Sequence, residues 1–340
     1  MRWSLALALA AVVVAAGCQH HDRVRPSGHE PWPERLSEWG LFKGNGSTLE
    51  PNPGVLPYDV ATPLFSDYAE KYRTVWMPAG ASARYDGAGV FALPVGTILS
   101  KTFMYPRDGG RSRRLIETRL LVRSERGWVA LPYLWNEEGT EATLEIVGAI
   151  VPVEERHGPA PARSIRYVVP NVNQCQGCHE QARTLVPIGI TARQLNHPYG
   201  GGENQLARWV RQGYLTGAPE PRDRPGGVEA NARAYLDSNC AHCHSPRGPA
   251  ASSGLDLRST ITELRSLGVC KPPVAAGRGA GPGMAFDIVP GQPEASILVY
   301  RMRSADPGVM MPELGRTVTH QEAVQLIEDW IRLLPGRCDS

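Results

Sequence analysis

Two five-residue strings constrain this chain more than anything else in its 340 residues: Cys175-Gln176-Gly177-Cys178-His179 and Cys240-Ala241-His242-Cys243-His244. Two thiols spaced by two residues can each form a thioether to one vinyl group of a porphyrin. The adjacent histidine then lies under the ring plane with an imidazole nitrogen facing the metal. The pattern predicts haem c attached covalently at both strings, through Cys175, Cys178, Cys240 and Cys243, with His179 and His244 as axial ligands. Zinc also takes Cys and His, but each string supplies only three of the four ligands a structural zinc site needs, and no second C-x-x-C completes either. A redox-active dithiol of the thioredoxin kind needs a cytosolic βαβ context that is missing here. His242 occupies an x position of the second string and reads as a surface or supporting residue.

Haem c is attached outside the cytoplasm, and the start of the chain reads as an export signal. Arg2 precedes an apolar run over residues 5–16 that ends in small residues and is too short to span a bilayer. It closes as Ala15-Ala16-Gly17-Cys18, which resembles the lipobox of bacterial lipoproteins, with Ala15 where Leu is more usual. Residues 1–17 are then a signal peptide, and Cys18 is acylated and becomes the mature N-terminus. Each buried CH₂ of such a lipid contributes about 0.8 kcal/mol to membrane anchoring. A plain secretory signal with an incidental cysteine is the alternative. Gln19 stands in place of the Asp that marks inner-membrane retention, which points to the outer membrane, periplasmic side. Residues 18–33 are polar and broken by Pro26, Pro31 and Pro33, a tether in which His20, His21 and His29 read as solvated rather than metal-binding. A net charge of +2 without runs of like charge gives no case for nucleic acid.

Of the seven cysteines, one goes to lipid and four to the two strings. Cys270 and Cys338 remain, in a compartment where disulfides persist, and a bridge between them is expected; two unpaired buried thiols are the alternative.

The two strings have different surroundings. Residues 227–340 read as an all-α domain. Val228, Ala232, Tyr235, Leu236 and Cys240 recur at helical spacing, delivering a helix end into the second string. Thr319 and Glu322 have the spacing of a capping box, ahead of an apolar stripe of Ala323, Ile327, Trp330, Ile331 and Leu334. Between them, residues 308–312 form a turn carrying Met311-Pro312. Met311 is the expected sixth ligand opposite His244, with Met310 as alternate and Met302 and Met284 as packing residues. Residues 171–226 read as an abbreviated haem segment, preceded by a strand and Pro170, so that no helix leads into Cys175; a short helix over 204–212 follows. That segment contains no Met. Its sixth ligand is His197, a residue of the preceding domain such as Met104 or Lys101, or nothing.

Residues 34–170 read as β, with strands over 95–105, 114–122, 127–135, 142–151 and 164–169 separated by turn signals. Trp128, Tyr133 and Trp135 read as core rather than as a binding face. The fold class is therefore α+β: an N-terminal antiparallel β-domain, then two small haem-binding segments, the second an all-α cytochrome c-like domain.

The chain resembles a bacterial family of diheme c-type cytochromes whose function is unassigned. The resemblance rests on residues 62–67 (TPLFSD), 94–103 (PVGTILSKTF), 115–121 (LIETRLL), the Asn-Gln-Cys-x-x-Cys-His run at 173–179, residues 234–244, 311–315 and 327–331. The arrangement of two crossed helices around a haem, with a Met-Pro loop before the last helix, is similar to class I cytochromes c. The resemblance implies electron transfer at the periplasmic or outer-membrane level with other redox proteins as partners, and a lipid anchor at the membrane surface. A diheme oxidoreductase of peroxidase type, with an open first haem, and a cytochrome subunit of a dehydrogenase are the competing readings.

Overall fold

The computed structural model describes residues 23–339 apart from 45, 88, 157–161 and 275, so the expected lipidation site Cys18 lies outside the described residues. Period-two alternation of apolar and polar side chains drives the first half into strands. These are β1 (Val55–Tyr58), β2 (Glu70–Trp76), β3 (Ala83–Arg84), β4 (Ile98–Arg107), β5 (Ser112–Ser124), β6 (Gly127–Trp135) and β7 (Ala142–Leu144). All except β3 form one antiparallel sheet in the order β1-β2-β4-β5-β6-β7. One face places Ile98, Leu120, Val122, Leu131 and Tyr133 in a core closed by Leu36, Trp39 and Phe42.

Tyr133 and Trp135 are core residues with satisfied polar tips. The Trp39 indole donates to the Tyr133 hydroxyl at 2.7 Å, and the Trp135 indole donates to Thr118 Oγ1 at 2.9 Å. The tether expected up to residue 33 gives way to packed chain sooner. Val24 and Trp32 pack on the same core, and the Trp32 and Trp39 rings stack with centroids 6.4 Å apart. Burying those two apolar side chains outweighs the solubility of the residues around them.

The stretch 142–151 is two strands rather than one. Gly148 adopts φ +89°, where a Cβ would meet Val169 O at 2.9 Å, and the chain leaves the large sheet there. β8 (Ala149–Glu155) then pairs antiparallel with β9 (Arg163–Val169) as a separate hairpin. Val153, Ile165 and Tyr167 of this hairpin pack against Phe103 and Ile116 of the sheet.

The middle of the chain holds α1 (Val172–His179), β10 (Glu180–Gln181), β11 (Thr184–Leu185), α2 (Ala192–Leu195), α3 (Gln205–Arg211) and β12 (Leu215–Thr216). β12 pairs in parallel with β3, and Leu195, Leu206 and Trp209 share a core with Val75, Phe91 and Leu99. This middle segment is thus built onto the second face of the sheet.

Three further helices follow: α4 (Val228–Asn239), α5 (Ile297–Arg303) and α6 (Gln321–Leu333). Ala232 and Leu236 of α4 meet Ile327, Trp330 and Ile331 of α6 in one core, with Val299 and Met302 of α5 beside them. The capping box expected at the start of α6 does not form. Thr319 Oγ1 donates to Arg303 O at 3.1 Å, while Glu322 accepts from the Tyr68 hydroxyl at 2.9 Å, so both side chains serve longer-range partners. Cys270 and Cys338 are joined by a disulfide that closes a 68-residue separation. The molecule is α+β, and among the described residues no helix is long and apolar enough to cross a membrane.

Candidate functional site

The first string sits on a helix, not after a bare strand. Pro170 ends β9, and Asn171 caps α1 reciprocally with Gln174: Asn171 Oδ1 accepts from the Gln174 amide at 2.8 Å, and Gln174 Oε1 accepts from the Asn171 amide at 3.0 Å. That box nucleates a helix of only two turns, a device not evident from the apolar pattern. Cys175 and Cys178 then fall three residues apart on one helical face, with His179 as the last helical residue.

His179 Nδ1 lies 2.8 Å from Val186 O. A carbonyl can only accept, so Nδ1 carries the proton and Nε2 keeps its lone pair for a metal. Burial pushes the His179 imidazole down to about 4, with nearby Lys101, Arg119 and His242 adding to the effect.

The second string follows α4 directly. The Cys240 amide donates to Leu236 O at 2.9 Å and the His244 amide to Cys240 O at 2.8 Å, so the helix end carries the string. His244 Nδ1 is 3.0 Å from Ser253 Oγ, whose own proton is directed to Ala250 O at 2.7 Å. Ser253 therefore accepts from Nδ1–H, and the His244 Nε2 lone pair is free in the same way. Burial holds this imidazole down to about 4, with Arg301 and Lys271 reinforcing it.

None of the four string cysteines is disulfide-bonded. Burial raises the Cys175 and Cys178 thiols and pushes those of Cys240 and Cys243 up to about 12, so all four are uncharged at neutral pH.

Each string opens into a cavity. The larger, about 550 Å³, is lined by Cys240, Cys243, His244, Tyr235, Met302 and Met311. The Met311 loop is pinned on both sides: its amide donates to Arg301 O at 3.1 Å, and its carbonyl accepts from the Arg316 guanidinium at 2.9 Å. Met310 is buried in the core and does not line the cavity, and Met284 lies beside Gly281 outside it.

The smaller cavity, about 210 Å³, is lined by Cys175, Cys178, His179, Lys101, Arg119 and Arg73. These three basic side chains stand in cross-strand register on β2, β4 and β5, Arg73 opposite Lys101 and Lys101 opposite Arg119. Arg73 pairs with Asp59 at 2.7 Å. Arg119 makes two bonds to the buried Glu117 carboxylate, at 2.8 and 2.5 Å, and the Tyr167 hydroxyl donates to that carboxylate at 2.6 Å. Like charges directly opposite one another on a sheet are unfavourable. Here Asp59 and Glu117 offset the two guanidinium charges, and burial beside those arginines pushes Lys101 well below the usual lysine range, so the floor is polar with its charge largely compensated.

Of the sixth-ligand candidates read from the sequence for the first string, only Lys101 reaches this cavity. His197 Nε2 is engaged by Gln205 Nε2 at 2.9 Å and lies outside it, and Met104 packs into the core on the opposite face of the sheet. Of the two roles expected for His242, surface or supporting residue, its position fits the second. It is not a surface residue: it lines both cavities, and its Nδ1 is sealed from solvent without a hydrogen-bond partner. Arg73, Arg119 and His242 are the site residues that motif reading missed. The first two needed strand register to be recognised; the third needed the docking of one string against the other.

The donor set fits haem better than a caged ion. Among the described residues no three His, Cys, Asp or Glu side chains converge to hold a metal ion. Each string instead offers two free thiols and one imidazole with a fixed tautomer at a cavity mouth. The two sites abut: Cys178, His242, Pro312 and Leu314 line both cavities, and the Ala182 amide donates to Arg247 O at 3.0 Å across the seam. Comparison of the chain with family models, curated proteins and solved structures finds no match.

Proposed function

We propose that the chain is an exported diheme c-type cytochrome that relays single electrons between external redox proteins through two covalently held haems. The observation that carries this reading is the pair of strings, each with free thiols and an imidazole whose Nε2 is left open by a dedicated acceptor, at two cavities with shared walls. Haem supplies a one-electron iron couple, and the surrounding residues set its ligands, dielectric and neighbouring charge.

Each residue then has a part. Val186 O and the Ser253 hydroxyl orient the two proximal imidazoles and increase their basicity. Met311 holds its thioether at the cavity of the second string, where sulfur ligation raises a potential relative to a second imidazole. Arg73 and Arg119, each paired with a carboxylate, and Lys101 give the first cavity a polar wall. Cys18, as an acylated N-terminus, keeps the molecule at the periplasmic side of a bacterial membrane, the outer one by the residue after it.

A pyridine haemochrome assay on the purified mature protein tests the proposal. Two haems per chain that resist extraction into acidified organic solvent are expected. A colourless protein, or a chromophore that extracts, overturns it. Peroxide turnover by the reduced protein would replace the carrier reading with a peroxidase, and co-purification with a dehydrogenase would make the chain that enzyme's cytochrome subunit.

A further inference from the structure

We infer that His242, from within the second string, is the sixth ligand of the haem attached at the first string. The inference rests on the diheme reading above and adds the ligand that sequence pattern left undecided. Its ground is placement. His242 occupies an x position of the second string, and its side chain stands where the two cavities meet, available to whatever packs there. Here the neighbour is the first string. His242 lines the first cavity together with Cys175, Cys178 and His179, and the backbone bond from Ala182 to Arg247 clamps the segments just beyond the two strings together.

The state of the imidazole is the second observation. A buried polar nitrogen without a partner is costly, and such atoms are few in native structures. His242 Nδ1 is one of them, although the Asn239 side chain at the end of α4 and the Ser245 amide just past the string are both satisfied. Nδ1 itself is sealed from open space, so the nitrogen that His242 can offer to the cavity it lines is Nε2. His197 and Met104 are excluded by position, which leaves Lys101 as the rival from the sheet side. Lys101 stands in line with Arg73 and Arg119, and its Nζ lies 4.8 Å from the centroid of the Phe103 ring. Burial and the flanking Arg73 and Arg119 push this lysine well below its ordinary range, so it remains the rival donor that the Lys101→Ala variant tests.

The consequence is structural coupling. The second string would bind one haem through His244 and close the other through His242, so the two irons are bridged by three consecutive residues. Both haems are then six-coordinate, which suits electron transfer rather than catalysis at iron.

The test uses the full mature chain with both haems in place. Electron paramagnetic resonance of the oxidised wild type is expected to show two low-spin haems, one of them bis-imidazole, and the reduced protein is expected not to bind CO. His242→Ala should turn one haem per chain high-spin and CO-binding, leave the Met–iron absorption band of the other intact, and recover low spin on adding free imidazole. His242→Met, which keeps a donor and supports assembly if the alanine variant does not accumulate, should add a second Met–iron band. Lys101→Ala should leave both haems low-spin. The inference fails if the wild type already binds CO at one haem, if His242→Ala leaves both haems low-spin, or if Lys101→Ala is the variant that opens the site. Fewer than two haems in the haemochrome assay would instead sink the diheme reading itself.

Discussion

At the scale of single residues, the decisive contacts are those that fix what each imidazole and thioether can do. Met311 is held at the cavity of His244 by bonds from its own amide and carbonyl to Arg301 O and the Arg316 guanidinium, which fix the backbone from which its side chain reaches the cavity. Met311→His should abolish the weak Met–iron absorption of the oxidised protein and lower the potential of one haem by a substantial part of the roughly 0.8 V that axial ligands span. Potentiometric titration followed in the visible region reads both effects. Ser253 tests the opposite side of the same iron. Its oxygen accepts from His244 Nδ1–H, which makes the imidazole a stronger donor and favours the ferric state. Ser253→Ala should therefore raise the potential of that haem, and it should cost about 1 kcal/mol of stability in denaturant titration. An unchanged potential would show that the hydroxyl does not tune the ligand. The cysteines and last histidines of the two strings and Met311 were legible as candidates because local spacing alone marks them, and the structure brings each to a cavity wall. His242 was not, since the same spacing places it on the side that a lone cytochrome domain turns to solvent. Only the docking of a second string against that side buries it.

Among the elements, the central strands and the helices of the C-terminal part followed from their periodicities, while β1, β2, β3 and the middle segment did not. β6 runs over Gly127–Trp135 and α4 over Val228–Asn239, where alternation and an apolar stripe predicted them. α1 escaped notice because its two turns are nucleated by the Asn171–Gln174 box and not by an apolar face. Residues 190–215 look from the sequence like part of a small independent unit, yet Trp209 is fully buried against Tyr58 and Phe91 from the β-domain. Short elements with one large side chain each cannot close a core of their own, and the sheet supplies the missing half. Trp209→Ala should accordingly cost about 3–5 kcal/mol. The loss should be centred on the first haem: hydrogen exchange is expected to rise in α2, α3 and β12, with little change in α4 and α6. Equal rises in the C-terminal helices would contradict this assignment of the segment to the sheet.

For the whole molecule, the question is what keeps the sheet, with the first string against it, in register with the helices that carry the second. Arg193 of α2 pairs with Asp237 of α4, and Gln194 Nε2 donates to Ser238 Oγ at 2.7 Å beside it. The strongest tie is Asp67, in the turn before β2 and only 2% exposed. Its carboxylate accepts from the Thr317 amide at 2.7 Å, the Thr317 hydroxyl at 2.9 Å and the Val318 amide at 3.0 Å, just ahead of α6. Its carbonyl accepts from the Tyr105 hydroxyl at 2.7 Å, which anchors the turn to β4. Asp67 is thus a clasp between β-domain and helical domain, and nothing in its own neighbourhood of the sequence marks it, because its partners lie 250 residues away. Hydrogen bonds to a charged group contribute roughly 1.5–3 kcal/mol each and are not additive. Asp67→Ala should therefore lower stability by about 3 kcal/mol or more, since it removes the shared acceptor of the half-buried Thr317 and Val318 amides. The informative consequence is cooperativity. The intact protein should unfold in one transition, with far-ultraviolet dichroism and haem absorbance coinciding; in Asp67→Ala the two probes should separate as the helical domain and the sheet lose their common seam. Loosening that seam also lengthens the path between the irons, so electron exchange between the haems after flash reduction should slow in the variant while each haem keeps its own spectrum. Coincident transitions together with unaltered exchange in Asp67→Ala would mean that the shared cavity walls, and not this carboxylate, set the spacing of the two sites.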